Sequence, residues 1–285
     1  MDLVIGTATF GTDYGIANRG RVQIESEALR ILSEAQNFGI SSIDTSPEYS
    51  IAEEIIGKFH STHESFNCYS KISLKIHNSS TETLNSLTNS LRMMKIESLK
   101  GLYFHNSAEL LARPAAQIEA LIDAIQDTEK VEKVGASVYE LSEILAVHER
   151  HPRISLFQVP ENIADQRLRY SSEVESLSKS GIEFHVRSIF LQGLLLMENP
   201  PAHLSSAQSF LDKLRATANA RSCSPLELCV SYVKQLGWAS KFIVGISESI
   251  QLRQILEAQE CFDENIVIDE TIPNDILDPR RWIND

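Results

Sequence analysis

Eight short apolar runs recur along the chain, at residues 3–5, 39–44, 66–71, 100–105, 133–137, 154–159, 182–187 and 241–244, and stretches with helical signatures alternate with them. Residues 24–38 carry Ala28, Ile31, Leu32, Ala35 and Phe38 on one side, with Gly39 as a stop signal. Residues 81–94 place Leu84, Leu87, Leu91 and Met94 on one face. Further helices are expected over 51–60, 115–128, from a Ser137/Glu140 cap to about 148, after the sixth run to about 180, over 204–220 and over 248–260. Ser50 with Glu53 reads as a capping box, and Ser224-Pro225-Leu226-Glu227 is a strong helix start for a segment ending at Gly237.

Strict alternation of this kind predicts parallel strands joined by helical crossovers. At 285 residues, with no Pro/Gly/Ser-rich linker, the natural closure is a single-domain (β/α)8 TIM barrel over 1–285, with a C-terminal tail from about 265. An open doubly wound sheet is the alternative. It would usually carry a glycine-rich phosphate loop after its first strand. Glycines stand at 6, 11, 15 and 20 without forming GxGxxG, and Gly15 to Gly20 is followed by Arg21-Val22, so there is no Walker A sequence.

Composition narrows the partners. A formal net charge of -13 argues against a general nucleic-acid binder, though it leaves room for a local basic pocket. Met1-Asp2-Leu3 has no basic leader and no apolar stretch reaches membrane-spanning length, so a cytoplasmic protein without a membrane partner is expected, as monomer or weak homo-oligomer. Cys68, Cys223, Cys229 and Cys261 form no CxxC pair or metal spacing, and free thiols are expected. His148-Glu149-Arg150-His151 lacks the i, i+4 histidine spacing of a zinc helix, and His63, His77 and His185 read as surface or packing residues. Asn78-Ser79-Ser80 is a glycosylation sequon that means little without secretion.

In such a barrel the active site lies at the C-terminal ends of the strands. The runs end there in Asp44, Lys71, His105, Ser137, Gln158 (then Asn162), Arg187-Ser188 and Gly245-Ile246-Ser247, and a loop broken by Pro47 adds Tyr49. A tyrosine is a poor acid at neutral pH, and a nearby ammonium lowers its pKa. Lys71 can do this for Tyr49, with Asp44 holding the lysine charged. Lys75 is a rival, but Lys71 ends the apolar run. Tyr49 becomes a proton donor to a carbonyl oxygen, and His105 can hydrogen-bond the same oxygen. The nucleophile missing from this set is a hydride from a cofactor.

These pieces resemble the aldo-keto reductases over nearly the whole chain. The matching elements are Gly6-Thr7, Asp44-Thr45 with Tyr49, Lys71, His105, Val134-Gly135-Ala136-Ser137, Gln158-Val159-Pro160-Glu161-Asn162, and Gly245 with Gln251-Leu252. The resemblance implies NADPH, with NADH as a possibility, extended across the barrel mouth, and no metal. It makes Tyr49 the proton donor, Lys71 and Asp44 its tuning pair, and His105 the group that orients the carbonyl of a small-molecule substrate. It places Ser137 and Gln158 at the carboxamide, with Gly6, Thr7 and Asp44 near the nicotinamide end. Arg187, Ser188, Phe190, Gln192, Gly245, Ser247 and Gln251 complete the implied cofactor contacts.

Several positions depart from the family pattern. Val138 follows Ser137 where Asn is common, and Arg187 stands where an aromatic ring often stacks on the nicotinamide; Arg187 can stack instead or pair with a phosphate. Ser247 stands where a cation for the 2′-phosphate is common, Glu248 beside it repels an anion, and Ile255 replaces Asn. This form resembles a bacterial branch loosely associated with sugar and surface-polysaccharide pathways. The expected activity is NAD(P)H-dependent reduction of an aldehyde or ketone, a sugar included. An NAD(P)+-dependent sugar or alcohol dehydrogenase and a low-turnover nucleotide-sensing or partner-binding barrel are the alternatives.

Overall fold

Short apolar runs form strands here because both of their faces are covered, the inner face by the barrel interior and the outer by helices. The structure, a computed structural model, describes residues 1–13, 15–16, 23–76, 79–260, 266, 268, 270 and 272–282. The strands are β1 Asp2–Gly6, β2 Ser42–Asp44, β3 Asn67–Ile72, β4 Gly101–Phe104, β5 Val134–Ser137, β6 Leu156–Pro160, β7 Glu183–Arg187 and β8 Lys241–Gly245. They pair in chain order, all parallel, and β8 closes on β1 with Gly6 opposite Gly245. Closure decides for the barrel over the open sheet.

The helices are α1 Glu25–Asn37, α2 Ala52–His60, α3 Ser80–Met94, α4 Ser107–Leu111, α5 Ala115–Gln126, α6 Leu141–Arg150, α7 Ser172–Lys179, α8 Gln208–Ala220, α9 Pro225–Lys234, α10 Ser249–Glu260 and α11 Asn274–Leu277. Gly39 follows α1 at φ +77, where its missing Cβ removes the left-handed penalty. The α9 capping box forms as read: Glu227 N–H donates to Ser224 Oγ at 3.2 Å and Ser224 N–H to Glu227 Oε2 at 2.6 Å. Among the described residues no helix is long and apolar enough to cross a membrane.

Other local readings need correction. Ser50 sits at φ 48 and caps nothing; Glu53 is turned inward on α2, where it accepts from Ser70 Oγ at 3.3 Å. Burial of Glu53 outweighed the local box. Helix α6 is capped by Glu140 with Glu143, not by Ser137, which stays in β5. The expected helix after β6 shrinks to α7, since residues 161–171 are held as a loop whose Ala164 and Asp165 amides donate to Asn162 Oδ1. Helix α9 stops at Lys234, ahead of Gly237, and 204–220 divides into a 3-10 turn, Ala202–Ala207, and α8. His77, Asn78 of the sequon, Gly20-Arg21-Val22 and Cys261 lie outside the described residues. In the tail, Ile266, Ile268, Ile272, Ile276 and Leu277 are buried against the core.

The barrel interior is made of rings rather than branched aliphatics alone. Tyr69, Tyr103 and Leu156 form a cluster of their own, and glycines make the room. A Cβ at Gly101 would stand 2.6 Å from Leu156 Cδ2, and one at Gly135 would stand 2.8 Å from Tyr103 Cδ1. Outside the barrel, α2 lies so close to α3 that a Cβ at Gly57 would stand 1.9 Å from the Met93 carbonyl oxygen. Backbone cannot yield as a flexible side chain does. Gly57→Ala is therefore expected to destabilise by about 3 kcal/mol or more despite the better helix propensity of alanine. Thermal unfolding checks this, and an unchanged Tm would contradict the close approach.

Candidate active site

The centre is built from a buried ion pair. Asp44 ends β2 and Lys71 lies in β3, and their side chains are only 5% and 2% exposed. Lys71 Nζ donates to Asp44 Oδ1 at 2.5 Å and to the Thr45 carbonyl at 3.0 Å. The other carboxylate oxygen, Oδ2, accepts from Gln158 Nε2 of β6 at 2.8 Å. The strand end itself is fixed by Thr7, whose N–H and hydroxyl both donate to the Asp44 carbonyl at 3.0 Å. Burial works to strip the lysine of its proton, but the Asp44 charge and hydrogen bond outweigh it and hold the pKa above its ordinary value. Lys75 is exposed and its backbone N–H bonds Glu109, so Lys71 is the lysine at the site.

Tyr49 comes from the loop between β2 and α2. Lys71 Nζ stands 5.0 Å from its ring centroid. Burial is the largest influence on the phenol and raises its pKa; Lys71 acts in the opposite sense and does not overcome it. The expectation of a net lowering is thus corrected: Tyr49 is a protonated phenol with a cation beside it. His105 follows β4 and meets the Tyr49 ring edge-on, with centroids 6.4 Å apart. Its Nδ1 lies 3.3 Å from Glu48 Oε1, and the imidazole is 27% exposed at the mouth.

A cavity of about 390 Å³ opens beside these groups. Its wall contains Gly6 and Thr7 from the end of β1, Asp44 and Tyr49, Gln158, then Arg187, Ser188, Phe190 and Gln192 after β7, and Gly245, Ser247 and Gln251 from β8 into α10. Of the residues read from the sequence as cofactor contacts, only Ser137 stays out of that wall: it pairs in register with Gln158 and is 6% exposed. Lys71 and His105 also stand behind or beside it. The segment after β7 is strained, with Ser188, Leu191 and Gln192 at φ 61, 47 and 54. Such conformations cost on the order of 1–3 kcal/mol each and persist where the surroundings hold them. Buried Asn162 does part of this by donating to the Ser188 carbonyl at 3.1 Å.

A family model described as the aldo/keto reductase family matches residues 2–266. The chain belongs to that family. A curated relative from Schizosaccharomyces pombe, provisionally named an aryl-alcohol dehydrogenase, is 27% identical over 143 residues, half of this chain. The match spans 40% of that relative's length, well under two thirds of it. Among solved structures, the thermostable aldo-keto reductase Tm1743 in complex with the inhibitor epalrestat superposes with a TM-score of 0.69 at 19% identity, covering 96% of this chain and 92% of its own. A provisionally named aldo-keto reductase of Pseudomonas aeruginosa gives 0.66 at 18%, covering 90% and 88%. At these identities the structural likeness speaks for the fold.

Within this family member, the start of α10 departs from the sequence reading. Its free N–H groups were expected to meet an anion. Instead the Ser247 and Glu248 amides donate to Gln251 Oε1 at 2.9 and 3.3 Å, and the Ser249 amide donates to Glu27 Oε1 at 2.8 Å. A carboxylate from α1 already occupies the helix terminus. Sequence reasoning also missed a polar chain inside the barrel. The Tyr103 hydroxyl lies 2.7 Å from His185 Nδ1, and His185 Nε2 lies 2.7 Å from Glu183 Oε1. Burial depresses the imidazole pKa and Glu183 partly restores it. The signal was available in the period of two: Tyr103 precedes His105, and His185 precedes Arg187, on the same strand faces. Among the described residues no group of three or more metal-ligating side chains converges.

Proposed function

We propose that this aldo/keto reductase family member reduces an aldehyde or ketone with NAD(P)H, and that Tyr49 gives the proton to the carbonyl oxygen. The observation that carries this is the buried Asp44–Lys71 pair set under a half-buried phenol at the wall of the cavity. A nicotinamide dinucleotide fits the residues present: the wall runs from Asp44, Tyr49 and Gln158 to Ser247 and Gln251, and side-chain-free Gly6 and Gly245 face each other across the β1–β8 seam. When bound, that cofactor supplies the hydride. The chain supplies the rest. Tyr49 stays protonated until negative charge grows on the carbonyl oxygen, and Lys71 stabilises the phenolate left behind. His105 donates a second hydrogen bond to that oxygen and orients it. Gln158 holds Asp44, and Asp44 holds Lys71 charged.

The name of the fission-yeast relative favours a second reading, oxidation of an alcohol with the same residues run in reverse. The two share one test. Nicotinamide fluorescence on titrating NADH and then NADPH is expected to show saturable binding of both, with NADH at least as tight. The Glu27 carboxylate at the start of α10, with Glu248 beside it, disfavours a 2′-phosphate there. NADPH binding tens of times tighter would mean a cation reaches that phosphate. No binding of either cofactor, reduced or oxidised, would sink the oxidoreductase assignment of the site.

A further inference from the structure

We propose that the cavity selects carbonyl substrates bearing an anionic group, a carboxylate or a phosphate, and that Arg187 holds that group while the carbonyl faces Tyr49. The inference rests on the carbonyl-reductase reading above and names its substrate class.

The argument begins with the charges in the wall. Asp44 is matched by Lys71, so the pair adds no net charge. Arg187 is then the single permanent cation among the described residues that line the cavity. Its guanidinium makes two long hydrogen bonds, to Ser188 Oγ and to the Val138 carbonyl, both at 3.3 Å. Among the described residues no carboxylate lies within ion-pair distance of it, although the chain carries a net charge of -13. A half-buried guanidinium without a counter-ion, facing a cavity, is complementary to an anion.

The tail strengthens this. The Arg187 carbon Cζ lies 4.3 Å from the Tyr139 ring centroid, and that of Arg280 lies 3.3 Å from the same centroid. Two guanidiniums therefore stand within about 8 Å of each other, where like charges repel. Asp278 compensates only in part. It takes two hydrogen bonds from Arg280, both at 2.8 Å, and it also pairs with Arg281 at 3.4 Å. One carboxylate thus answers two guanidiniums, and the Arg280 side chain remains 49% exposed. The mouth carboxylate on the other side, Glu48, is drawn to His105. An anion at Arg187 relieves a surplus that nothing else in the wall relieves.

A nicotinamide dinucleotide also carries anionic groups, so position decides the assignment. The Arg187 charge is felt at the Tyr49 phenol, which places it at the reacting end of the cavity. The end formed by Ser247 and Gln251 belongs to β8 and α10.

The test uses matched substrates on the holoenzyme: 4-carboxybenzaldehyde against 4-methylbenzaldehyde, and glyceraldehyde 3-phosphate against glyceraldehyde. The expected ratio of kcat/KM, anionic over neutral, is tenfold or more for at least one pair. The pair that shows it tells carboxylate from phosphate. Arg187→Gln is expected to bring that ratio to about one, and Arg187→Lys to retain part of it. A wild-type ratio at or below one in both pairs overturns the proposal. So does an Arg187→Gln variant that keeps the ratio and loses cofactor affinity instead, since the guanidinium then serves the cofactor. Calorimetric titration with benzoate, inorganic phosphate and benzyl alcohol reads the same site without turnover. If neither cofactor binds and no aldehyde is reduced, the reductase reading fails. Benzoate or phosphate binding that Arg187→Gln abolishes would then still support the anion site, and no anion binding would overturn it.

Discussion

Tyr49→Phe is expected to lower kcat by about 10²–10⁴-fold, the usual worth of a positioned general acid, while cofactor affinity and Tm stay near wild type. The reasoning is geometric first. The phenol shares the cavity wall with Asp44 and Gln158, Lys71 Nζ lies 5.0 Å from its ring, and the His105 ring meets it edge-on. Removing one oxygen leaves that packing in place and removes the proton. Burial keeps the phenol pKa above its ordinary value, so the wild-type donor is fully protonated across the neutral range. Activity in the reductive direction should therefore not fall between pH 6 and 8 on account of Tyr49. Steady-state kinetics with a carbonyl substrate checks both statements. A variant that keeps kcat within threefold would remove Tyr49 from the donor role and leave His105 as the candidate.

The chain disclosed its barrel because the strand and helix signals are periodic and local. Eight apolar runs each ended in a polar residue, and parallel pairing in chain order brought those ends to one rim. Asp44, Tyr49, Lys71 and His105 were legible for that reason. What stayed hidden depends on contacts distant in sequence. Glu53 looked like half of a capping box because Ser50 stands three residues before it; only the fold sets it against Ser70 of β3. Glu27, 222 residues from Ser249, takes the helix terminus that a phosphate was expected to use. Arg187 looked like a stacking group or phosphate partner, and its Tyr139 shelf and the Arg280 above it come from a loop and a tail with no periodic signal. Ser137 was placed correctly at a strand end, yet its neighbour Gln158 reaches the wall and it does not.

The Glu161→Gln variant is expected to match wild type in stability near pH 5 and to exceed it by several kcal/mol at pH 8 to 9. Glu161 is fully buried at the end of β6. It accepts a hydrogen bond from the Tyr232 hydroxyl of α9 at 2.5 Å and one from the Leu168 amide at 3.1 Å. Burial, the largest influence, pushes its pKa up from 4.5 to about 8, with the Tyr232 hydrogen bond acting against it and Asp165 adding to it. Between those two values the native state holds a proton that the unfolded chain releases, so stability is full below about 4.5 and falls as pH rises through 8. One proton corresponds to about 1.4 kcal/mol per pH unit, or roughly 5 kcal/mol across the window. A glutamine carries no such titration. Its carbonyl can accept from the Leu168 amide and its amide can donate to the Tyr232 oxygen, as the protonated carboxyl does. The remaining titrating groups are common to both proteins and cancel in the difference. Denaturant unfolding of the pair at pH 5, 7 and 9 measures it directly. A variant less stable than wild type at every pH would mean that Glu161 is ionised in the native state, held by Tyr232 and Arg167 rather than neutralised by its surroundings.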